Sequence, residues 1–284
     1  MAGTLLDRAL GMLELLASEP AGLALQEIAN RLDIPKSAAH RLLGELIRHG
    51  YVRQNGTAGS YMLTTKLLTL GYGWLGGSGI AELAQPVLDR LAASTGELVR
   101  YAVVDGDQLT WVAKAQGARF GLRLDPDQGM EAVLYCTATG HAWLAAQSDE
   151  EAMRLVTRQG FGRLQDDGPN APRTVEALRN RLVLARERGY AWVFESSAPG
   201  TAAVAANIVH PVTRNVVGVL SIAGPSARLT EERMYAIAPD LLEAAATLSL
   251  GVPEAGAAAL PRAAPQSPIG RGSLHLRRTE PALG

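Results

Sequence analysis

Disulfide frameworks, bilayer-spanning segments and a strongly basic charge are all missing from this sequence, and each absence removes a class of protein. A single cysteine, Cys136, stands in 284 residues, so no internal disulfide can form and a reducing cytoplasm is the expected compartment. No apolar run nears the roughly 18–20 residues that a helix needs to span a bilayer. Asp7 and Arg8 fall where a signal peptide would carry its apolar stretch, so neither export nor a membrane partner is expected. The net charge of −1 does not by itself mark a nucleic-acid binder. Paired short spacings of the CxxC or HxxxH kind are absent, and no metal or cofactor is expected. Cys136 and His141 lie five residues apart with no orienting acid evident, and a small buried hydrophobe is the expected role of Cys136. Ser221 stands in LSIAG without the GxSxG elbow, and Asp105, Asp107, Asp125 and Asp127 sit in turn-like segments beside Gly or Pro. Catalysis is not expected.

What is present begins with LQEIANRLDIPKSAAHRLLGELIRHGYVRQNGTAGSYML, residues 25–63. Gln26–Leu32 forms a short helix with Ile28, Ala29 and Leu32 on one face, and Asp33-Ile34 turns the chain. Pro35 suits the first turn of the next helix, where its missing N–H costs nothing. That helix carries Ala39, Leu42, Leu43, Leu46 and Ile47 at spacings of three and four, and Lys36, Ser37, His40, Arg41 and Arg48 on its other side. Gly50 fits the helix stop. Tyr51–Gln54 and Tyr61–Leu63 flank Asn55-Gly56 and Ala58-Gly59-Ser60, a hairpin. Helix, tight turn, helix and hairpin make a winged helix-turn-helix, a DNA-reading module. The local charge agrees: from Pro35 to Arg53, Lys36, Arg41, Arg48 and Arg53 are offset only by Glu45, and phosphates are met by one face rather than by the whole protein.

The chain is long enough for two domains, and 47% of it is hydrophobic. Thr4 with Asp7 resembles a capping box opening a first helix with Leu6, Ala9, Leu10, Leu13 and Leu16 at helical spacing, ending near Glu19-Pro20. Residues 1–64 close a compact DNA-binding domain. Thr65–Leu75 continues as a linker helix that Gly71, Gly73, Gly76, Gly77 and Gly79 interrupt, so 65–79 is read as a linker helix with a glycine joint. From Ile80 to Gly251 a second domain follows. It contains a helix over Ala81–Ser94, a hairpin of Leu98–Val104 and Leu109–Ala113, a third strand over Arg119–Leu124, helices over Thr137–Ala146, Asp149–Gln159 and Thr174–Arg188, strands over Tyr190–Glu195, Ala202–Val209 and Val216–Ala223, and a last helix over Thr230–Leu250. The class is α+β, with a central sheet flanked by helices. Residues 252–284, rich in Pro, Ala and Gly, carry Arg271, Arg277 and Arg278 without apolar periodicity and are read as a disordered tail.

The segments RALGMLELLA, EIANRLDIPKSAAHRLLGELIRHGYV, TATGHAWLA, ARERGYAWVFE and LSIAGPSARLT resemble, in this order, the IclR-type bacterial transcriptional regulators, over about Thr4 to Leu250. The resemblance implies an N-terminal winged helix, a linker helix, and a C-terminal effector domain related to GAF folds with a central antiparallel or mixed sheet. It implies homodimers, often paired into tetramers, that bind double-stranded operator DNA and respond to small, commonly carboxylate-bearing metabolites. Asp33 departs from the family, whose turn often has Gly there; Asp tolerates the left-handed conformation.

For DNA, Ser37, His40 and Arg41 fall near the N-terminal end of the recognition helix, within reach of base edges. Arg41 suits a guanine, Lys36 with the helix N-terminus a phosphate, and Arg53 in the wing the backbone or minor groove. Arg48 and Lys66 read as solvated charges. Carried across motif by motif, the family's effector site becomes Cys136, Thr137, Ala138, Thr139 and Gly140 at the start of the TATG helix, Val193 from GYAWVFE, Ala203 from GTAAVAAN, and Ser221 and Ala223 from LSIAG. Leu124, Met130 and Leu134 are placed as further lining, with plain packing as the competing reading. N–H groups at that helix start suit a carboxylate. Some relatives hold polar, acidic or thiol side chains where Val193 and Ala203 stand, so an aromatic acid is expected over a small oxoacid. His141 stands where relatives often have Lys. The competing reading of the whole chain is a ligand-binding or interaction protein with a degenerate helix-turn-helix; Lys36, Ser37, Arg41 and Arg53 argue against it.

Overall fold

The computed structural model describes residues 4–56, 59–78, 80–124, 129–162 and 167–251. Ala58 of the expected wing turn, Gly79, Asp125, Asp127, Gln165 and the tail from 252 to 284 with its arginines lie outside the described residues. The chain divides into two compact units between Glu82 and Leu83.

In the first unit, α1 (Leu5–Ala17) opens with the expected box: the Asp7 N–H donates to Thr4 Oγ1 at 3.2 Å, and the Thr4 N–H donates to Asp7 Oδ2 at 2.7 Å. Helices α2 (Leu25–Arg31) and α3 (Lys36–Arg48) follow. Asp33 takes a left-handed φ of +50° between them, and the Ile34 N–H returns to the Ala29 carbonyl at 3.0 Å. Pro35 is the N-cap of α3 rather than part of its first turn. Met12, Leu16, Ile28, Ala39 and Leu43 form the buried centre, because the stripes of the three helices converge there. Gly50, at φ +77°, ends α3. Its N–H bonds the Ile47 carbonyl and that of Tyr51 the Leu46 carbonyl, both at 2.9 Å, a Schellman closure that a side chain at positive φ would strain. The wing pairs β1 (Val52–Gln54) with β2 (Tyr61–Leu63) antiparallel. Leu23 bridges Tyr61 from the other side.

Helix α4 (Lys66–Ser78) corrects one expectation: it runs on through Gly71, Gly73, Gly76 and Gly77. Glycine lowers helix propensity by about 1 kcal/mol per residue without forbidding the conformation. The start of α4 is pinned, since Thr64 Oγ1 accepts the Lys66 N–H at 3.2 Å and Lys66 Nζ donates to the His49 carbonyl at 2.7 Å.

The second unit is built on an antiparallel sheet of strand order β4-β3-β7-β6-β5: β3 (Leu98–Asp105), β4 (Gln108–Gln116), β5 (Ala191–Phe194), β6 (Thr201–Val209) and β7 (Val216–Pro225). Helix α6 (Ala138–Ala145) packs against β5, β6, β7 and α8 (Val175–Arg188), while α9 (Glu231–Leu250) packs against β6 and β7. Helices α5 (Ile80–Thr95) and α7 (Asp149–Gln159) complete the described helical elements. Gly189 stops α8 in the left-handed conformation, and Thr230 caps α9. The strand expected over Arg119–Leu124 is not formed. Gly121 sits at φ +77°, and side chains take the carbonyls that a sheet neighbour would have used: Gln116 Nε2 donates to Leu124 O at 2.7 Å and Arg228 Nη1 to Leu122 O at 2.9 Å.

Candidate DNA interface and effector site

Lys36, Ser37, His40 and Arg41 are all exposed on the outer side of α3, opposite the buried Ala39, Leu42 and Leu43, and Arg53 is exposed on β1. Pro35 offers no side-chain cap, so the first N–H groups of α3 stay open for an anion, and no acid occupies its first turn. Among the described residues Lys36, Arg41 and Arg53 have no acidic partner, whereas Arg48 is tied to Glu45 at 2.5 Å. Lys66 is exposed, as expected of a solvated charge, and it is also engaged: besides its bond to His49 it lies 4.6 Å over the Tyr51 ring, tying α4 to the end of α3.

Four of the residues expected to meet an effector come from distant parts of the chain onto one face of the sheet. Val193, Ala203 and Ala223 stand side by side across β5, β6 and β7, and the next row on the same face is Ala191, Ala205, Ser221 and Arg100. Leu134, Cys136, Ala138 and Val193 belong to the core cluster that covers this face, with Ala203 packed against it. Thr137 caps α6, its hydroxyl accepting the Gly140 N–H at 3.0 Å. Gly140 is required by space: a Cβ there would meet the Leu134 carbonyl oxygen at 2.2 Å. Thr139 is buried with them, and Ser221 Oγ donates to the Arg100 carbonyl at 3.5 Å. Met130 does not join the cluster; its side chain is 53% exposed while its carbonyl accepts the Trp111 N–H. Leu124, partly buried, is held through its own carbonyl. A cavity of about 500 Å³ lies along the β5 edge, lined among others by Arg181, Arg188, Tyr190, Trp192 and Phe194, and none of the expected effector residues lines it.

Burial dominates the electrostatics. It pushes the Cys136 thiol up to about 12, against the opposing pull of Arg173, and brings the Arg100 guanidinium down to about 10. His141, fully buried, is pulled down to about 3 by burial and then by the Arg181 charge. Its Nε2 lies 2.7 Å from the Tyr135 carbonyl, so the neutral ring donates there and is not a base for Cys136. Among the described residues no group of three or more His, Cys, Asp or Glu is gathered as for a metal.

Sequence reasoning overlooked Arg100 and Trp111. Cζ of Arg100 lies 3.9 Å from the centre of the Trp111 ring. A register shift in the β3–β4 pair sets Tyr101 opposite Ala113 but Ala102 opposite Trp111. That bulge moves Trp111 onto the Arg100 face, where strict alternation would have put it on the other. The available signal was a lone arginine inside the apolar run LVRYAVV.

A winged helix with open cations, together with a unit whose sheet face is covered by a helix start and an apolar wall, defines a DNA-binding protein with a regulatory domain. The comparisons make this specific. Residues 73–250 match the family model described as bacterial transcriptional regulator IclR C-terminal, and residues 5–56 match the IclR helix-turn-helix domain. The chain belongs to the IclR family of DNA-binding transcriptional regulators, a family defined by transcriptional control rather than by a catalysed reaction. It is 31% identical over 247 residues to the HTH-type transcriptional regulator BhcR of Paracoccus denitrificans, covering 87% of this chain and 86% of that one. It resembles the crystal structure of an IclR regulator from Alicyclobacillus acidocaldarius at 26% identity and a TM-score of 0.74, covering 88% of this chain and 99% of the other. An IclR homologue from Microbacterium hydrocarbonoxydans, crystallised with 4-hydroxybenzoate, matches in fold at 20% identity and a TM-score of 0.73, covering 88% and 99%. Among the described residues no helix is long and apolar enough to cross a membrane.

Proposed function

We propose that this regulator reads operator DNA with Lys36, Ser37, His40, Arg41 and Arg53, and is controlled by an organic acid on the sheet face beneath α6. The observation that carries the effector half is the row of Val193, Ala203 and Ala223 with Ser221 beside it, Ala203 partly buried and the others buried, on the sheet face against which α6 and the core cluster of Cys136 pack. A wall of Val and Ala suits an apolar body, so an aromatic acid is favoured over a small oxoacid. The 4-hydroxybenzoate of the Microbacterium homologue is an acid of that class. Domain limits of 1–64, 65–79 and 80–251 remain the working division, with the tail following. Two like chains present two readers to two half-sites. Exposed Leu5, Leu6 and Leu10 on α1, and Leu68, Leu70, Tyr72 and Trp74 on α4, offer apolar surface for a homodimer or a dimer of dimers. The site of action is the cytoplasm, where the DNA lies. Control works by population shift: the acid binds one arrangement of the paired readers better than another, and only that differential affinity moves the equilibrium.

The test is thermal unfolding of the full chain with benzoate, 4-hydroxybenzoate and phenylacetate against glyoxylate. A rise in melting temperature confined to the aromatic acids is expected; a rise with glyoxylate alone would reverse the assignment.

A further inference from the structure

On the same sheet face, two nitrogen donors are buried without a partner: Nε of Arg100 and Nε1 of Trp111. They belong to side chains stacked at 3.9 Å. Arg100 has no acidic partner among the described residues. Its cross-strand neighbours on this face are Ser221 and Lys114, and Lys114 adds positive charge and has an interaction of its own. A partly desolvated guanidinium with an unmade hydrogen bond is unfavourable. An acceptor supplied from outside the chain would remove that cost.

We propose that Arg100 and Trp111 are the anchor for the effector's carboxylate, Arg100 giving the charge and the Trp111 N–H a second donor, with the apolar body of the acid lying along Ser221, Ala223 and Ala203. This rests on the reading that the effector occupies that face. The guanidinium is a planar fork matched to a carboxylate, and stacking on the indole holds its plane before the ligand arrives, so less freedom is lost on binding. A monocarboxylate fits better than a phosphate. One cation neutralises one negative charge, while a dianion would leave excess charge buried against Ala and Val. The acid group thereby meets a full positive charge instead of only the partial charge of the α6 start. The ligand class is a monocarboxylic acid with an aryl or branched apolar body.

Isothermal titration of the full chain with benzoate, 4-hydroxybenzoate and phenylacetate, and with benzamide as neutral counterpart, tests this. Arg100→Met is expected to weaken the acids roughly 10–100-fold, the worth of a charged hydrogen bond, and to leave benzamide unchanged. Arg100→Lys recovers part of the loss, and Trp111→Phe weakens the acids less than Arg100→Met does. The Arg100→Met protein melts close to wild type without ligand, because the cation it loses has no acidic partner and Met keeps an apolar contact with the Trp111 ring; a purely structural arginine would show a clear drop, which would overturn the proposal. Wild-type affinity for the acids in Arg100→Met overturns it too, as does the absence of acid binding to wild type. Loss in Arg181→Gln alone would place the acid in the β5-edge cavity. Ala203→Leu separates the two levels: acid binding lost there but kept in Arg100→Met sinks the anchor and keeps the site, and binding kept in both sinks the site as well.

Discussion

His141 shows how burial writes a pH dependence into one side chain. Its ring donates to the Tyr135 carbonyl as a neutral group, and its proton affinity is held down to about 3 in the folded chain against an ordinary 6.5. The unfolded chain therefore takes up a proton near pH 6.5 that the folded chain refuses. The contribution to stability is complete above 6.5 and is lost progressively as pH falls from 6.5 towards 3. Denaturant unfolding at pH 7, 6 and 5 should show this fall in wild type and a shallower one in His141→Gln, which keeps a donor and loses the titration; parallel curves would contradict the account. Cys136, with its thiol pushed up to about 12, should resist iodoacetamide in the native protein and react on unfolding, and as the sole cysteine it reports opening of the core cluster it belongs to. At Gly140 the obstacle is backbone, so Gly140→Ala should cost about 1–3 kcal/mol of overpacking, seen as a lower denaturation midpoint. The TATG motif was visible in sequence; the Leu134 oxygen that demands its glycine is not, because nothing local announces that approach.

At the scale of elements, caps and periodicities are local, and those were readable. The Thr4–Asp7 box, the positive φ of Asp33, the Gly50 and Gly189 stops and the Thr230 cap all stand where residue chemistry puts them. What failed was decided by neighbours far along the chain. The glycines of α4 stay helical behind a start clamped to His49, and the Arg119–Leu124 segment loses its strand to the side chains of Gln116 and Arg228. β3 lies beside β7, with Arg100 opposite Ser221, a pairing that no local pattern carries. The bulge beside Ala102 likewise defeats the period-two rule that would assign Trp111 its face. For the recognition helix, Arg41→Ala should cost about 1–3 kcal/mol at a preferred site and relax preference for one base pair. Lys36→Ala should weaken all DNA alike and flatten the dependence of log K on log salt by roughly 0.9. Binding titrations of both variants on one duplex at several salt concentrations distinguish base reading from phosphate contact.

The whole molecule joins a small reader to a larger unit, and its exposed leucines and aromatics on α1 and α4 are the faces proposed to pair two chains. Leu6→Glu with Leu68→Glu should lower the molar mass in light scattering from that of an oligomer to that of a monomer, with loss of operator affinity; an unchanged mass would exclude those faces as the interface. The central claim, that this chain reads a particular DNA sequence, is tested most directly by fluorescence anisotropy with the intergenic DNA upstream of its own coding region, titrated over a salt series beside a scrambled duplex. The account predicts saturable binding to the upstream DNA, a linear fall of log K with log salt, and far weaker binding to the scrambled duplex at every concentration. Equal, weak binding to both duplexes would contradict it.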